Sequence, residues 1–173
     1  MGLSGDVSRN LLLDPGFWRP RFERLEKEPR QLAIFPRPDL CRPGIEVLEL
    51  RLRAHDGARL TALIARSAFA RQGDVVHLGA TTDLQPDGID WSSVEQGATQ
   101  LLFSYPPQRR LEDRVLDVLR VVGAACSLEG IDCSRVKFLP AGSCVQDEFA
   151  IADFLRQQGW GPATPEEACG TGS

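Results

Sequence analysis

Residues 136–149 join an apolar run to a helical pattern through a sharp turn, and the turn carries side chains that could do chemistry. A strand–turn–helix of this kind raises one side chain to the top of a sheet, where a nucleophile is exposed. Cys144 occupies that place, and Val145 follows it at the start of the predicted helix. The partial positive charge at a helix N-terminus lowers the pKa of a thiol and raises its thiolate fraction. The sequence therefore predicts Cys144 as a candidate nucleophile, with an ordinary buried cysteine as the alternative.

Histidine, the usual base for such a nucleophile, is scarce in this chain. The two histidines, His55 and His77, both precede the turn. His55 falls in a predicted hairpin turn. His77 falls on a predicted strand, where a hydrogen-bonded structural role is the alternative to catalysis. Tyr105, at the end of another predicted strand, either lines a pocket or packs in the core. The sequence thus predicts a nucleophile turn without an evident catalytic base.

Length and composition indicate one domain with an ordinary hydrophobic core. The chain has 173 residues, of which 42% are apolar and 25% are charged. Its net charge of −4 argues against a nucleic-acid partner, because phosphate binding needs a basic face. The arginines are scattered among acidic residues, so we expect them to form solvated surface. The absence of an apolar run of about 18 residues and of a secretory signal predicts a cytoplasmic protein without a transmembrane segment.

The five cysteines are predicted to be free thiols. Their odd number, without a secretory signal, favours a reducing compartment. No two of them have the C-x-x-C spacing, and the histidines are not spaced with them as zinc ligands would be. We therefore expect neither a metal nor a cofactor.

The first third of the chain reads as a helix, a connector and a hairpin. A capping aspartate followed by proline indicates the start of a helix within 12–32, and the proline-rich residues 36–44 indicate an extended connector. Leucines alternate with charged residues along 45–54, which predicts a strand whose charged face, including Glu49, is wet. The sequence HDGA then predicts a tight turn into a second strand, 59–67.

Strands and helices alternate in the remainder of the chain. Such alternation requires a parallel sheet with helices on both faces. The predicted fold is α/β: a three-layer sandwich with a mostly parallel sheet of about five strands and an N-terminal antiparallel hairpin. We divide the chain into an N-terminal helix and connector (1–44), an α/β domain (45–160) and a disordered tail (161–173). Apolar runs predict strands at 74–79, 98–105 and 136–141, and helical periodicity predicts helices at 90–96, 110–128 and 145–158.

These elements resemble the α/β-hydrolase fold, in particular acetyl xylan esterases and dienelactone hydrolases, over residues 45–158. LRLRAHDGARLTALIARS is similar to the family's opening strand pair, VVHLGA to its strand ending in His-Gly, and EGIDCSRVKFLPAGSC to the segment before its nucleophile. The resemblance implies that Cys144 is the nucleophile. It also implies oxyanion donation by the backbone N–H of Val145 and by that of Gly79 or Ala80.

The chain departs from the family pattern at and after the turn. Gln146 stands where the family has a glycine, and the family's catalytic acid and histidine come from later segments than this chain contains. We therefore expect only the N-terminal half of the hydrolase fold, a truncated sheet with an incomplete catalytic triad.

Two functions follow from this pattern, and the sequence leaves both open. The first is a non-catalytic α/β-hydrolase-like domain that serves as a binding or assembly subunit of a larger complex. A protein partner or a second copy would cover the sheet edge left exposed after the fifth strand. The alternative is a cysteine- or serine-dependent esterase or thioesterase that a partner chain or further C-terminal sequence completes, with a small acyl ester as its ligand.

Overall fold

The computed structural model describes the chain at residues 14–68, 76–81, 84–104, 106, 108–129, 131, 136–139 and 154, of which 76–81 and 136–139 are described by their backbone alone. The helices are α1 (Pro15–Lys27), α2 (Trp91–Glu95) and α3 (Leu111–Cys126), and a short 3₁₀ turn spans Pro86–Gly88. The strands are β1 (Ala33–Pro36), β2 (Ile45–Arg53), β3 (Arg59–Ser67), β4 (Val76–Thr81), β5 (Thr99–Ser104) and β6 (Val136–Leu139). Within these ranges no helix has the length and apolarity needed to cross a bilayer.

Six strands form one mixed sheet in the order β1-β2-β3-β5-β4-β6. β1 pairs with β2, β2 with β3, and β3 with β5, all antiparallel. β4 pairs in parallel with β5 on one side and with β6 on the other. The prediction of an α/β protein with an N-terminal antiparallel hairpin is confirmed. That of a mostly parallel sheet of about five strands is wrong, because three of the five pairings in the described sheet are antiparallel and β1 adds a sixth strand.

The β2–β3 hairpin forms where the turn sequence HDGA predicts it. Gly57 has a φ of +85°, a left-handed conformation that glycine adopts without steric cost. The Asp56 carboxylate accepts a hydrogen bond of 3.1 Å from the backbone N–H of Ala58. These local bonds fix the register of the hairpin, in which Arg53 lies opposite Arg59.

Two hydrophobic clusters lie on opposite faces of the sheet, because successive strand residues point to opposite sides. On one face, Leu50, Ile64 and Phe103 pack against the buried side of α3 and against Trp18 of α1. On the other face, Val47 and Leu63 pack with residues of α2 and the 3₁₀ turn. The described elements therefore cover both faces of the sheet. Helix α1, which lies in the predicted N-terminal segment, packs in the same hydrophobic core as the sheet and α3.

Helix α1 is anchored by one aromatic side chain. Its first turn is capped by Asp14, which accepts a hydrogen bond of 2.9 Å from the N–H of Gly16. Trp18 is 2% exposed, and its ring centroid lies 5.6 Å from that of Phe22 and 5.0 Å from that of Phe154. The helix begins at Pro15, directly after the capping aspartate that the sequence predicts, and ends at Lys27, within the predicted segment 12–32.

Glu49 is buried, which contradicts the prediction of a wet face along β2. It is 7% exposed and accepts hydrogen bonds from Nη1 of Arg37 at 2.7 Å and from Nε of Arg51 at 2.5 Å. Burial alone would raise the pKa of Glu49, but the two guanidinium groups outweigh it and lower the pKa. The connector after β1 supplies Arg37, so this ion cluster ties the connector to the sheet.

The cysteines that the structure describes differ in redox state. Cys41 is exposed and free, as predicted. Cys126, at the end of α3, is disulfide-bonded, which corrects the prediction that all five thiols are free. Its partner lies outside the described residues.

Candidate functional site

The strand directions place the β2–β3 turn at the edge of the sheet where a ligand is expected. β2 and β5 both run antiparallel to β3, so β2 runs in the same direction as β4, β5 and β6. These four strands end at one edge, which we call the carboxyl edge. In open α/β sheets ligands bind beyond this edge. The turn that contains His55 and Asp56 follows β2 and therefore lies there.

His55 contacts the helix that begins at the same edge. Helix α3 follows β5 and starts at Leu111, and Asp113 lies in its first turn. Oδ1 of Asp113 is 2.9 Å from Nε2 of His55, and the two side chains are 24% and 23% exposed. A carboxylate that engages one ring nitrogen fixes the orientation of an imidazole. The pair therefore links the hairpin turn to α3 and leaves the other ring nitrogen, Nδ1, outside this contact.

Arg109 makes the second link between the hairpin and α3. Its Nε donates to Oδ2 of Asp117 at 2.9 Å, and its Nη2 donates to Oδ1 of the same residue at 3.0 Å. It also donates to Asp56, from Nη1 to Oδ2 and from Nη2 to Oδ1, the latter at 3.0 Å. One guanidinium group thus holds a turn residue and a helix residue at once, a fork geometry that suits carboxylates.

The two aspartates that contact Arg109 have opposite pKa shifts. Asp117 is wholly buried, and this desolvation raises its pKa to about 7 although Arg109 opposes the shift. Hydrogen bonds from Arg109 lower the pKa of Asp56 to about 2, because its side chain is 43% exposed and desolvation is weak. Burial alone would lower the pKa of Arg109, but its two carboxylate partners outweigh burial and raise it. The cluster is therefore a structural ion network in which one carboxylate is poised to titrate near neutral pH.

The arginines are less solvated than the sequence analysis expects. The side chain of Arg109 is 8% exposed, and Arg114 and Arg120 of α3 are also buried. The prediction of an all-solvated arginine set is therefore wrong for these three residues.

Three of the predicted site residues lie on one strand. His77 is the second residue of β4 and lies opposite Gln100 and Lys137 on the flanking strands. Gly79 and Ala80 lie further along β4, inside its paired region. The strand continues to Thr81, so His77 is four residues, about 13 Å, from its carboxyl end. The catalytic and oxyanion roles of these residues stay predictions.

The other predicted site residues, Cys144, Val145 and Tyr105, lie outside the described residues. β6 leads toward Cys144 in the sequence and ends at Leu139, at the carboxyl edge. β2 is separated from β6 by β3, β5 and β4, which is four strand spacings or about 19 Å. His55 and the end of β6 therefore share an edge without being neighbours.

The ion network at the carboxyl edge was not predicted from the sequence. Its position follows from the antiparallel pairing of β3 with β5, which places the β2–β3 turn at the carboxyl edge. The pairs that join the hairpin to the helix side, Arg109–Asp56 and His55–Asp113, are 53 and 58 residues apart, so no local pattern shows them.

The comparisons with known proteins bear on the fold. The chain matches no protein-family model and no curated protein sequence. Among solved structures it is similar to an acetyl xylan esterase from Paenibacillus sp. R4, with a TM-score of 0.64 and 16% identity over 80% of this chain and 54% of that one. It is similar to Acetyl Xylan Esterase 1 from Thermoanaerobacterium sp. JW/SL YS485, with a TM-score of 0.63 and 12% identity over 89% of this chain and 60% of that one. The fold is that of the α/β-hydrolases.

A glucuronoyl esterase from Solibacter usitatus extends this α/β-hydrolase similarity, with a TM-score of 0.53 and 12% identity over 84% of this chain and 57% of that one. The predicted resemblance to α/β-hydrolases and acetyl xylan esterases is thus confirmed at the level of the fold. The chain spans only 54% and 60% of the two acetyl xylan esterases, in agreement with the prediction of a partial hydrolase fold.

Proposed function

We propose that this chain is an α/β-hydrolase-like domain without hydrolytic activity of its own, which serves as a binding or assembly subunit of a larger complex. One observation carries the proposal: the positions of the two histidines relative to the carboxyl end of β6. A hydrolase of this fold needs a histidine within hydrogen-bond reach of the nucleophile that follows this strand.

His77 lies on β4, next to β6, but near the start of the strand and away from its carboxyl end. It lies opposite Lys137, before the end of β6, and about 13 Å from the carboxyl end of its own strand. A base must approach its nucleophile to about 3 Å, whereas this backbone position lies well before the carboxyl edge. A structural role for His77 fits this position better than that of a base.

His55 is at the right edge but too far across the sheet. About 19 Å separates β2 from β6, whereas a base must approach its nucleophile to about 3 Å. The Nε2 of His55 is also engaged by Asp113. Its contacts support a structural link between the hairpin and α3.

The exposed edge strand β1 supports the proposed role in binding another protein. In the described sheet β1 and β6 are the terminal strands. β1 is exposed along its length, with Ile34 and Phe35 each 42% exposed. Edge strands with unpaired backbone groups readily add a strand from another chain. We therefore propose that a partner protein or a second copy of this chain pairs with an edge strand of the sheet, either β1 or β6.

A cytoplasmic location belongs to this proposal. The free thiol of Cys41 supports it, whereas the disulfide of Cys126 counts against it, because disulfides are rare in reducing compartments.

An acyl hydrolase completed by a partner chain or by further sequence is the second candidate. The similarity of the fold to esterases favours this candidate. The chain spans 54% and 60% of the two acetyl xylan esterases, which agrees with a hydrolase that other sequence completes. In this case Cys144 attacks an acyl carbonyl, and the base comes from outside the present chain.

Covalent labelling separates the two candidates at the level of the nucleophile. The native protein is treated with iodoacetamide and with a fluorophosphonate ester, in a Cys41→Ser background that removes the exposed thiol. We expect no fluorophosphonate adduct, and no faster alkylation of Cys144 than of the same thiol in urea-unfolded protein. Rapid, site-specific modification of Cys144 or of one serine in the native protein, lost in Cys144→Ala or in the corresponding serine variant, would contradict the proposal.

A further inference from the structure

A cavity of about 230 Å³ lies between α1 and α3, on the helical face of the sheet. It is separate from the ion network at the carboxyl edge. One wall is apolar and two arginines line the cavity. Its lining residues are Phe22, Leu25, Glu26, Arg30, Leu119, Arg120 and Gly123.

Arg120 is a buried cation with an unused donor. It is 3% exposed, and its Nη1 and Nη2 donate to the backbone carbonyls of Glu28 and Pro29 at 3.0 and 3.5 Å. Its Nε is buried and has no hydrogen-bond partner among the described residues. The carboxylate of Glu28 lies 3.7 Å from Nη2. Since a buried polar group normally finds a partner, the free Nε–H marks a position where an acceptor is missing.

Arg30 brings a second guanidinium group to the same cavity. Its Nη1 donates to the backbone carbonyl of Gly123 at 2.9 Å. Gly123 makes this approach possible, because a Cβ at that position would lie 2.9 Å from Nη2 of Arg30. Helix α3 therefore has a residue without a side chain at the point where the guanidinium group of Arg30 contacts it.

We propose that the cavity between α1 and α3 binds a small carboxylate with an apolar body. The carboxylate pairs with the guanidinium of Arg30, next to the buried guanidinium of Arg120, and the body lies against Phe22, Leu25 and Leu119. Arginine is well suited to this task because its donors match the geometry of a carboxylate. The inference does not depend on whether the chain hydrolyses esters.

Charge and size restrict the ligand further. Burial lowers the pKa of Arg120, which shows that its charge is incompletely compensated, so an anion in the cavity relieves that cost. Glu26, exposed at the rim, disfavours a dianion. The volume is below the roughly 300–1,000 Å³ of cavities that hold drug-sized ligands, which favours an aromatic or branched short-chain monocarboxylate.

The test uses benzoate as the probe and benzamide, its neutral isostere, as the comparison, with calorimetry on the full chain at matched ionic strength. We expect benzoate to bind at least about tenfold more tightly than benzamide, because only the carboxylate forms charge-assisted hydrogen bonds with the arginines. Arg30→Gln should weaken benzoate binding about tenfold or more, and Gly123→Ala should weaken it by displacing Arg30.

Arg19→Gln is the matched control, because Arg19 lies on α1 with a side chain that is 84% exposed and the substitution removes the same charge. Its benzoate affinity should stay within about twofold of wild type. Arg30 is exposed, so its substitution tests binding without placing the fold at risk, whereas Arg120→Gln serves as a second variant with a thermal-unfolding check. Equal binding of benzoate and benzamide, equal losses in Arg19→Gln and Arg30→Gln, or no benzoate binding up to about 10 mM would overturn the proposal.

Discussion

Arg109 and Asp117 form a two-point ion pair, with N–O distances of 2.9 and 3.0 Å, at a position where the carboxylate has no exposure to solvent. The same guanidinium group reaches Asp56 in the β2–β3 turn. A loop residue thereby joins the hairpin to α3 through a buried contact with Asp117 and a partly exposed contact with Asp56. Arg109 therefore ties the β2–β3 turn to α3 at the carboxyl edge.

Arg109→Gln should destabilise the protein by about 3 kcal/mol at pH 8, because it leaves the carboxylate of Asp117 buried without its cation. The loss should be smaller at pH 5.5, where Asp117 is protonated and needs no counter-charge. Urea unfolding followed by circular dichroism measures both values. Arg110→Gln is the matched control, since the side chain of Arg110 is 80% exposed, and it should cost less than about 1 kcal/mol. A loss for Arg109→Gln no larger than that of the control would contradict the structural role of the pair.

The titration of Asp117 predicts a specific pH dependence of stability. Its pKa rises from an ordinary value of 3.8 to about 7 in the folded chain, so the folded state binds this proton more tightly than the unfolded state does. The resulting stability is fully present below pH 3.8 and is lost as the pH rises through about 7.

Asp117→Asn isolates this contribution, because the amide stays neutral. The difference in unfolding free energy between wild type and Asp117→Asn should fall by a few kcal/mol between pH 4 and pH 8. Urea unfolding at several pH values gives the difference directly. A difference that rises with pH, or stays constant, would show that Asp117 is ionised throughout this range.

Glu49 should contribute more to stability than the exposed acid on the same strand. Glu49→Gln removes the charge that two guanidinium groups contact, and we expect a loss of about 1–3 kcal/mol at pH 7. Because the pKa of Glu49 is lowered from 4.5, its contribution is present above that pH and is lost as the pH falls below it. Glu46→Gln removes an acid whose side chain is 42% exposed and serves as the control, with an expected loss under about 1 kcal/mol. Equal losses in the two variants would refute the special role of Glu49.

Trp18 should anchor α1 to the rest of the core. Trp18→Ala empties a site that is 2% exposed and removes the ring contacts with Phe22 and Phe154, so we expect a loss of about 3–5 kcal/mol. Arg19→Ala, at the next and exposed position, should change stability by less than about 0.5 kcal/mol. Thermal unfolding of the two variants checks this. If Trp18→Ala leaves the thermal unfolding midpoint unchanged although α1 no longer packs on the core, the helix folds independently of the core.

The hairpin and the core helix could be predicted from the sequence because both depend on neighbours along the chain. Alternating leucines and the Asp-Gly turn define β2 and β3, and the apolar stripe of α3 defines its buried face. The direction of β3 relative to β5 could not be predicted, because strand periodicity does not show which distant strand a segment pairs with. Of the three antiparallel pairings, β3–β5 depends on that choice, whereas the hairpin sequence already predicts β2–β3.

The burial of Glu49 shows a second limit of sequence patterns. Alternation correctly places it on the face opposite Leu50, but that face also carries Val47, which is fully buried. Whether a charged residue on a strand is exposed to solvent depends on which segments pack over it. Here Arg37, which contacts Glu49, comes from a connector 12 residues away. Arg109 and Asp56 illustrate the same limit at the carboxyl edge, where the partners are 53 residues apart.

The hydrolysis of p-nitrophenyl acetate by the purified chain tests the central claim most directly. The rate is compared with that of an equal concentration of urea-unfolded chain and with those of the Cys144→Ser and His55→Asn variants, all in the Cys41→Ser background. We predict the same slow, non-saturating rate for all four samples, because the proposed function assigns neither histidine as the base for a nucleophile after β6. Saturable turnover by the native chain that is lost in Cys144→Ser or His55→Asn would contradict a non-catalytic function.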